Sequence, residues 1–380
     1  MPNILLFNKI AACGLSQFPE GYVCGDAVEA PAAIMVRSAS LHEMDFDPAT
    51  VAVARAGAGV NNVPIDACTA QGICVFNTPG ANANGVKELV IMGLFMASRK
   101  VAEAIDWCKG LKGEGANVGK LVEKGKGAFG GPEIMGKTLG LIGVGAIGGL
   151  VAGAAAALGM TVVGYDPYLS EDAKAVLAPS MKLLGSATEV IAASDYLSLH
   201  APLTPETKGF INAESLAGAK DGLRIVNTAR ADLVNSADLL AALESGKVAA
   251  YVVDFPTDEM INVPGVTAIP HLGASTPESE DNCAIMAARQ LTAYIEHGEI
   301  VNSVNLPATS LPASFETRVC IVHEGSLDFG AIPAVLPGNI NLNSYTGKGA
   351  NYTVADTKGE VDSAAVEALP GVLRVRVLKG

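Results

Sequence analysis

The sequence predicts an α/β protein built from two doubly wound units of parallel strands and a small α+β module at its C-terminal end. Three observations carry that reading. Short apolar runs alternate with helical patterns through the first 300 or so positions; a glycine-rich turn interrupts that alternation between a strand and a helix; and the last 64 residues change to strand-like runs.

At 380 residues the chain exceeds the ~250–300 at which single cores stop growing, so two or three domains are expected. A hydrophobic share of 49% with a net charge of -13 describes an acidic globule, which argues against nucleic-acid binding and against disorder. An anionic ligand would need local cations. Seven cysteines, at 13, 24, 68, 74, 108, 283 and 320, form no CxxC pair and no metal-ligand spacing, so reduced cytoplasmic thiols and no bound metal are expected. The first residues read as a strand rather than a secretory signal.

Runs at 3–8, 32–36, 51–55 and 73–77 predict the strands of the first unit. Helical spacing of Val86, Leu89, Val90, Gly93, Leu94 and Ala97 predicts a helix over 85–104, followed by a Gly/Lys-rich stretch at 110–131. Strands are expected next at 138–142, 161–165, 196–199, 224–227, 249–254 and 267–269, with helices at 236–244 and 278–297. The 28 uncharged residues of 138–165 are long enough to span a membrane, yet eight glycines divide them. Strand, turn, alanine-rich helix and strand explain them better, so no membrane partner is expected. The expected boundaries are 1–84 with 280–304 for the first unit, 85–279 for the second, a linker at 305–316 and a βαββαβ module at 317–380.

Gly143-Val144-Gly145-Ala146-Ile147-Gly148 stands between the strand at 138–142 and a helical pattern. There the first glycine permits a tight turn, the second admits a pyrophosphate to the backbone, and the third lets helix and strand pack closely. Asp166 closes the next strand 18 residues after Gly148, placed to bind ribose hydroxyls and repel a 2'-phosphate. A Rossmann-like unit that takes NAD rather than NADP is predicted.

Removing a hydride from a secondary alcohol needs a base for the hydroxyl proton and a cation for the neighbouring carboxylate. Arg230, Glu259 and His271 each follow a predicted strand of the second unit, and the carboxyl ends of such strands line the ligand crevice. Arg37 and Arg55 end strands of the first unit and are the candidates for a phosphate.

At this point the sequence resembles the D-isomer-specific 2-hydroxyacid dehydrogenases. The resemblance rests on Val36-Arg37-Ser38-Ala39, Arg55-Ala56-Gly57-Ala58-Gly59-Val60, Asn77-Thr78-Pro79-Gly80, the glycine loop, Leu199-His200-Ala201-Pro202, Asn227-Thr228-Ala229-Arg230 and Pro270-His271-Leu272-Gly273-Ala274-Ser275-Thr276. It implies His271 as acid/base, Glu259 as its partner, Arg230 on the substrate carboxylate, Thr228 and Asp254 beside the cofactor, and Arg37, Ser38 and Arg55 on the substrate. Aligning on Phe255-Pro256-Thr257 nominates Asp258 in place of Glu259, while the five-residue offset from Asp254 favours Glu259. The implied activity is NAD-dependent oxidation of 3-phosphoglycerate at the head of serine biosynthesis. A hydroxypyruvate or glyoxylate reductase, or a non-catalytic NAD-sensing regulator, are the alternatives. The tail resembles an ACT-type regulatory module, which implies serine as an effector, and the family implies a homodimer or homotetramer.

Overall fold

The structure is a computed structural model that describes residues 1–312, 314–347 and 349–380. It divides into two compact units, Met1–Asn82 with Pro277–Gly380, and Ala83–Thr276.

The first unit holds a five-stranded parallel sheet. Its strands are β1 (Asn3–Phe7), β2 (Val23–Gly25), β3 (Ala33–Val36), β4 (Ala52–Arg55) and β5 (Cys74–Phe76), in the order β2-β1-β3-β4-β5. Alternate residues face opposite layers: Ile4, Met35, Ala54 and Phe76 pack on Ala284, Ala287 and Leu291 of helix Pro277–His297, while Ile34, Val36, Val53 and Val75 pack on Leu41, Val63 and Cys68. Both faces are covered, so these strands read as continuous apolar runs rather than alternating ones.

The second unit holds β6 (Thr138–Ile142), β7 (Thr161–Tyr165), β8 (Lys182–Leu183), β9 (Tyr196–Leu199), β10 (Leu223–Asn227), β11 (Val248–Val253) and β12 (Val266–Ala268). All neighbours are parallel, in the order β12-β11-β10-β9-β6-β7-β8. The order reverses between β6 and β9, the switch point at which doubly wound sheets open a ligand crevice. Helix Ala83–Ser98 lies close on this sheet, because a Cβ on Gly93 would stand 2.9 Å from Val226 Cγ1.

The expected helix over 85–104 is two helices, Ala83–Ser98 and Val101–Lys109. Ser98 anchors the break: its hydroxyl donates to Leu94 O and meets the Tyr196 hydroxyl at 2.7 Å. Apolar spacing runs across the break, which is why periodicity joined the two. The Gly/Lys-rich stretch also folds, with a helix at Val118–Gly125. Among the described residues no helix is long and apolar enough to cross a membrane.

The C-terminal residues form an antiparallel sheet of β13 (Thr317–His323), β14 (Asn341–Tyr345), β15 (Asn351–Thr357) and β16 (Val372–Lys379), ordered β14-β15-β13-β16. Helices Ile332–Val335 and Ser363–Glu367 supply Ile332 and Val366 to one face, against Val319, Ile321 and Ala355. The other face contributes Cys320, Val322, Tyr352 and Val354 to the core that also contains Phe76 and Tyr294. Polar contacts reinforce this junction. Arg318 is fully buried, pairs with both carboxylate oxygens of Asp356 at 2.7 and 2.8 Å, and donates to His297 O. Arg376 donates to Tyr294 O and Ile295 O, and the Tyr352 hydroxyl to Gly298 O. Three strands therefore satisfy the carbonyls at the end of helix Pro277–His297, where unpaired acceptors and the negative end of the helix dipole favour cations. Removing one partner of a buried pair such as Arg318–Asp356 costs about 3–5 kcal/mol.

Candidate active site

The glycine loop follows β6 and enters helix Ala146–Ala157. Its three glycines meet three different surroundings. Gly143 has φ 87°, and a Cβ there would lie 2.7 Å from the His200 carbonyl carbon; a Cβ on Gly148 would lie 2.4 Å from Gly143 O. Around Gly145 no described residue stands within 4 Å of a Cβ position, and Gly145 and Ala146 are exposed. The loop is tight where protein packs on it and open where a ligand would approach, with Ile147 half-buried in the first turn of the helix.

Asp166, just beyond β7, fastens this loop. One carboxylate oxygen accepts from Val144 N at 2.9 Å and the other from Tyr168 N at 2.9 Å. Each oxygen keeps a further lone pair for a ribose hydroxyl. His200, past β9, packs against the loop, with Nε2 2.9 Å from Ser198 Oγ; burial lowers its pKa to about 4, so it stands neutral. These features fit a dinucleotide with its pyrophosphate at the helix start.

Two orphaned polar groups lie at the ends of adjacent strands. Among the described residues, the Thr228 hydroxyl, after β10, and both carboxylate oxygens of Asp254, after β11, are buried without hydrogen-bond partners. Asp254 is fully buried, and desolvation raises its pKa to about 6, with the backbone near Gly273 and the Arg230 charge pulling the other way. Such groups suit the amide of a nicotinamide.

Between them the turn that bears Arg230 is held by Asn227, which the sequence marks as a strand end and the start of the arginine motif but gives no role. Its Nδ2 donates to Arg230 O at 2.9 Å and to the Tyr251 hydroxyl at 3.0 Å, and its Oδ1 accepts from Ala229 N at 3.1 Å. Arg230 and His271 then meet a shared aromatic. The Arg230 guanidinium lies 5.5 Å from the centroid of Phe255, and the His271 ring lies 4.3 Å from the same centroid at 40°. Both residues are exposed, so their polar groups are within reach of a ligand. Phe255 is a site residue that no charge or motif rule nominates.

Glu259 and Asp258 are exposed on the 3-10 turn Asp258–Met260. Glu259 also lines a cavity of about 550 Å³ with Lys208, Asp232 and Asn235.

In the other unit, Arg37 follows β3 directly and its Nη2 lies 2.7 Å from Glu280 Oε1. The Ser38 and Ala39 amides both donate to Asn8 Oδ1, at 2.9 and 2.8 Å, which fixes the turn after Arg37. Arg55, closing β4, lies across Gly57 so closely that a Cβ there would overlap its guanidinium at 1.3 Å. Burial pushes the Cys283 thiol up in pKa; the Thr78 hydroxyl and the charges of Arg55 and Arg37 pull it down, and Glu280 pushes it up. The charges of Arg37, Arg55 and Glu280 thus all act on one thiol.

Residues 91–273 match the family model described as the NAD-binding domain of D-isomer-specific 2-hydroxyacid dehydrogenases. Curated relatives include a D-3-phosphoglycerate dehydrogenase of Mycobacterium leprae, 33% identical over 93% of this chain and 63% of its own, and one of Bacillus subtilis, 35% identical over 73% and 52%. The chain spans less than two thirds of the length of these relatives. A solved glyoxylate reductase from Paecilomyes thermophila matches with TM-score 0.65 and 27% identity over 80% of this chain and 98% of its own. An NAD+-bound 3-phosphoglycerate dehydrogenase of Entamoeba histolytica matches with TM-score 0.62 and 25% identity over 80% and 98%.

Proposed function

We propose that this chain, which belongs to the D-isomer-specific 2-hydroxyacid dehydrogenases, oxidises D-3-phosphoglycerate to 3-phosphohydroxypyruvate, the first step of serine biosynthesis. The observation that carries this reading is the grouping of Arg230 and His271 on Phe255 beside the buried Asp254, at the carboxyl ends of β10 and β11.

Bound NAD supplies the hydride acceptor. Asp166 and the open face of the loop at Gly145, Ala146 and Ile147 hold its adenosine side, and Thr228 and Asp254 its amide. Asp166 opposes a 2'-phosphate, which favours NAD over NADP. His271 takes the hydroxyl proton from the substrate as the hydride leaves, and returns one in the reverse direction. Arg230 holds the substrate carboxylate and, as charge builds on the C2 oxygen, stabilises it. Glu259, or Asp258 on the same turn, is the carboxylate that steadies the imidazolium. Arg37, the Ser38 turn and Arg55 take the phosphate end.

In this reading residues 83–276 bind the cofactor, residues 1–82 with the helix from Pro277 bind substrate, and the C-terminal sheet is the regulatory part, with serine as its effector. The location is cytoplasmic and the assembly a homodimer or homotetramer paired through the cofactor unit. Exposed Val101 and Ile105, which line a groove of about 560 Å³ with Phe129, support that surface.

The experiment is absorbance of NADH on mixing the protein with NAD and D-3-phosphoglycerate. Turnover with a strong preference for the phosphorylated substrate over D-glycerate supports the reading. Comparable oxidation of supplied NADH by glyoxylate or hydroxypyruvate would move it to a reductase, and NADH binding without turnover to a sensor.

A further inference from the structure

We propose that Glu280 is a specificity-determining residue, an internal anion seated on Arg37 that the terminal phosphate of the substrate has to displace. The inference rests on the functional reading above for its substrate, and on the geometry of one unit for its mechanism.

Arg37 Nη2 and Glu280 Oε1 are 2.7 Å apart, with side chains 37% and 43% exposed. The pair is therefore formed but accessible, and exposed pairs of this kind are weak enough for a ligand to exchange with. Arg37 is anchored by its position at the end of a central strand, with the next turn held by Asn8. Glu280 is placed differently. It lies in the first turn of the 21-residue helix Pro277–His297, where the helix dipole favours a carboxylate. On release from Arg37 it keeps that favourable field and regains water, so displacing it leaves no charge stranded.

The pairing of Arg37 with Glu280 gives the selectivity, because the carboxylate already sits on the guanidinium that a phosphate would take. A phosphate dianion presents about -2 charge and three acceptor oxygens, and can replace the carboxylate while engaging the guanidinium at two points. A neutral hydroxymethyl terminus, as in glycerate, offers nothing to exchange for Glu280. The pair thus stays closed to an uncharged end and opens to a phosphate, which makes Glu280 a threshold for admission as well as a weight on affinity.

The test titrates the full chain with inorganic phosphate by calorimetry, for wild type, Glu280→Gln, Arg37→Ala and the double variant. Glu280→Gln is expected to bind phosphate about three- to fivefold more tightly, the gain from freeing a half-exposed arginine. Arg37→Ala is expected to bind it more weakly, and the double variant to match Arg37→Ala. A Glu280→Gln affinity that is unchanged or lower overturns the proposal. So does a Glu280 effect of the same size without Arg37, since it would then not act through that residue. Melting temperatures separate these results from misfolding, and Glu280→Asp, which keeps the charge on a shorter arm, should fall between wild type and Glu280→Gln. In steady state, Glu280→Gln should lower KM for D-3-phosphoglycerate by the same factor, with KM rather than kcat responding, and leave KM for D-glycerate little changed. A wild type that turns over neither substrate would defeat the functional reading, while the phosphate titration would still decide the role of Glu280.

Discussion

The imidazole of His271 rests against the ring of Phe255, centroids 4.3 Å apart and planes 40° from parallel. Arg230 lies over the same ring at 5.5 Å. A hydrocarbon thus sets the positions of two polar groups. Tilted aromatic contact and cation–π attraction each contribute about 0.5–1.5 kcal/mol, so Phe255→Ala should lower kcat/KM roughly tenfold by loosening both residues. Stability should change less than activity. Steady-state kinetics beside a urea denaturation curve checks this, and an unchanged kcat/KM would show that the ring positions neither group.

Asn227 has a different task, since its amide joins the Arg230 turn to the Tyr251 hydroxyl from within the sheet. Asn227→Ala leaves the buried Tyr251 hydroxyl and the Ala229 amide without partners. At about 1–3 kcal/mol for each of these two unsatisfied groups, a loss of about 2–6 kcal/mol is expected. Urea unfolding measures it. A midpoint within error of wild type would mean that water replaces the amide.

Asp254 ties stability to pH. Its folded-state pKa is raised to about 6 from 3.8 by burial, so between these values the folded protein holds more protons than the unfolded chain. Stability contributed by this group therefore falls as pH rises from about 4 to 6, then levels off. At neutral pH its cost is on the order of 2–3 kcal/mol. Asp254→Asn should be more stable than wild type at pH 7 and should lose this part of the pH slope, while binding NADH more weakly. Parallel stability curves for the two proteins between pH 4 and 7 would contradict the burial argument.

Gly57 is a handle on Arg55. An added Cβ would meet the Arg55 guanidinium at 1.3 Å, and the far end of a flexible side chain yields before the backbone does. Gly57→Ala should shift Arg55 and, because Gly57 has φ 154°, where a side chain strains the backbone, lower stability as well; KM for D-3-phosphoglycerate should rise severalfold with KM for NAD unchanged. Equal changes in both constants would point to wider disruption.

Much of this was legible before any coordinate. The two parallel sheets announce themselves because strands covered on both faces are largely apolar, as at Ala33–Val36 and Val248–Val253. The cofactor loop was legible because each glycine answers a steric demand. Less visible were β2 and β8, edge strands of three and two residues, too short for an apolar run to show. Phe255 could not be singled out either, since an aromatic after a strand is ordinarily core, and its role here arises from what stands on either side of it. Glu280 carries no motif. Its partner lies 243 positions earlier (280 − 37), a separation that only tertiary structure closes.

The closure of helix Pro277–His297 by β13, β15 and β16 has a consequence for the order in which the protein is made. The second unit is one continuous segment, Ala83–Thr276, and can complete its sheet while later residues are still being added. The first unit cannot: β1 to β5 precede the second unit, yet the helix that covers them comes after residue 276, and Arg376, which binds that helix's last carbonyls, comes about 80 residues later still. These strands are made before the second unit and completed after it. During synthesis their apolar face waits for a partner some 200 residues away, the interval in which a nascent chain is most exposed to misassociation.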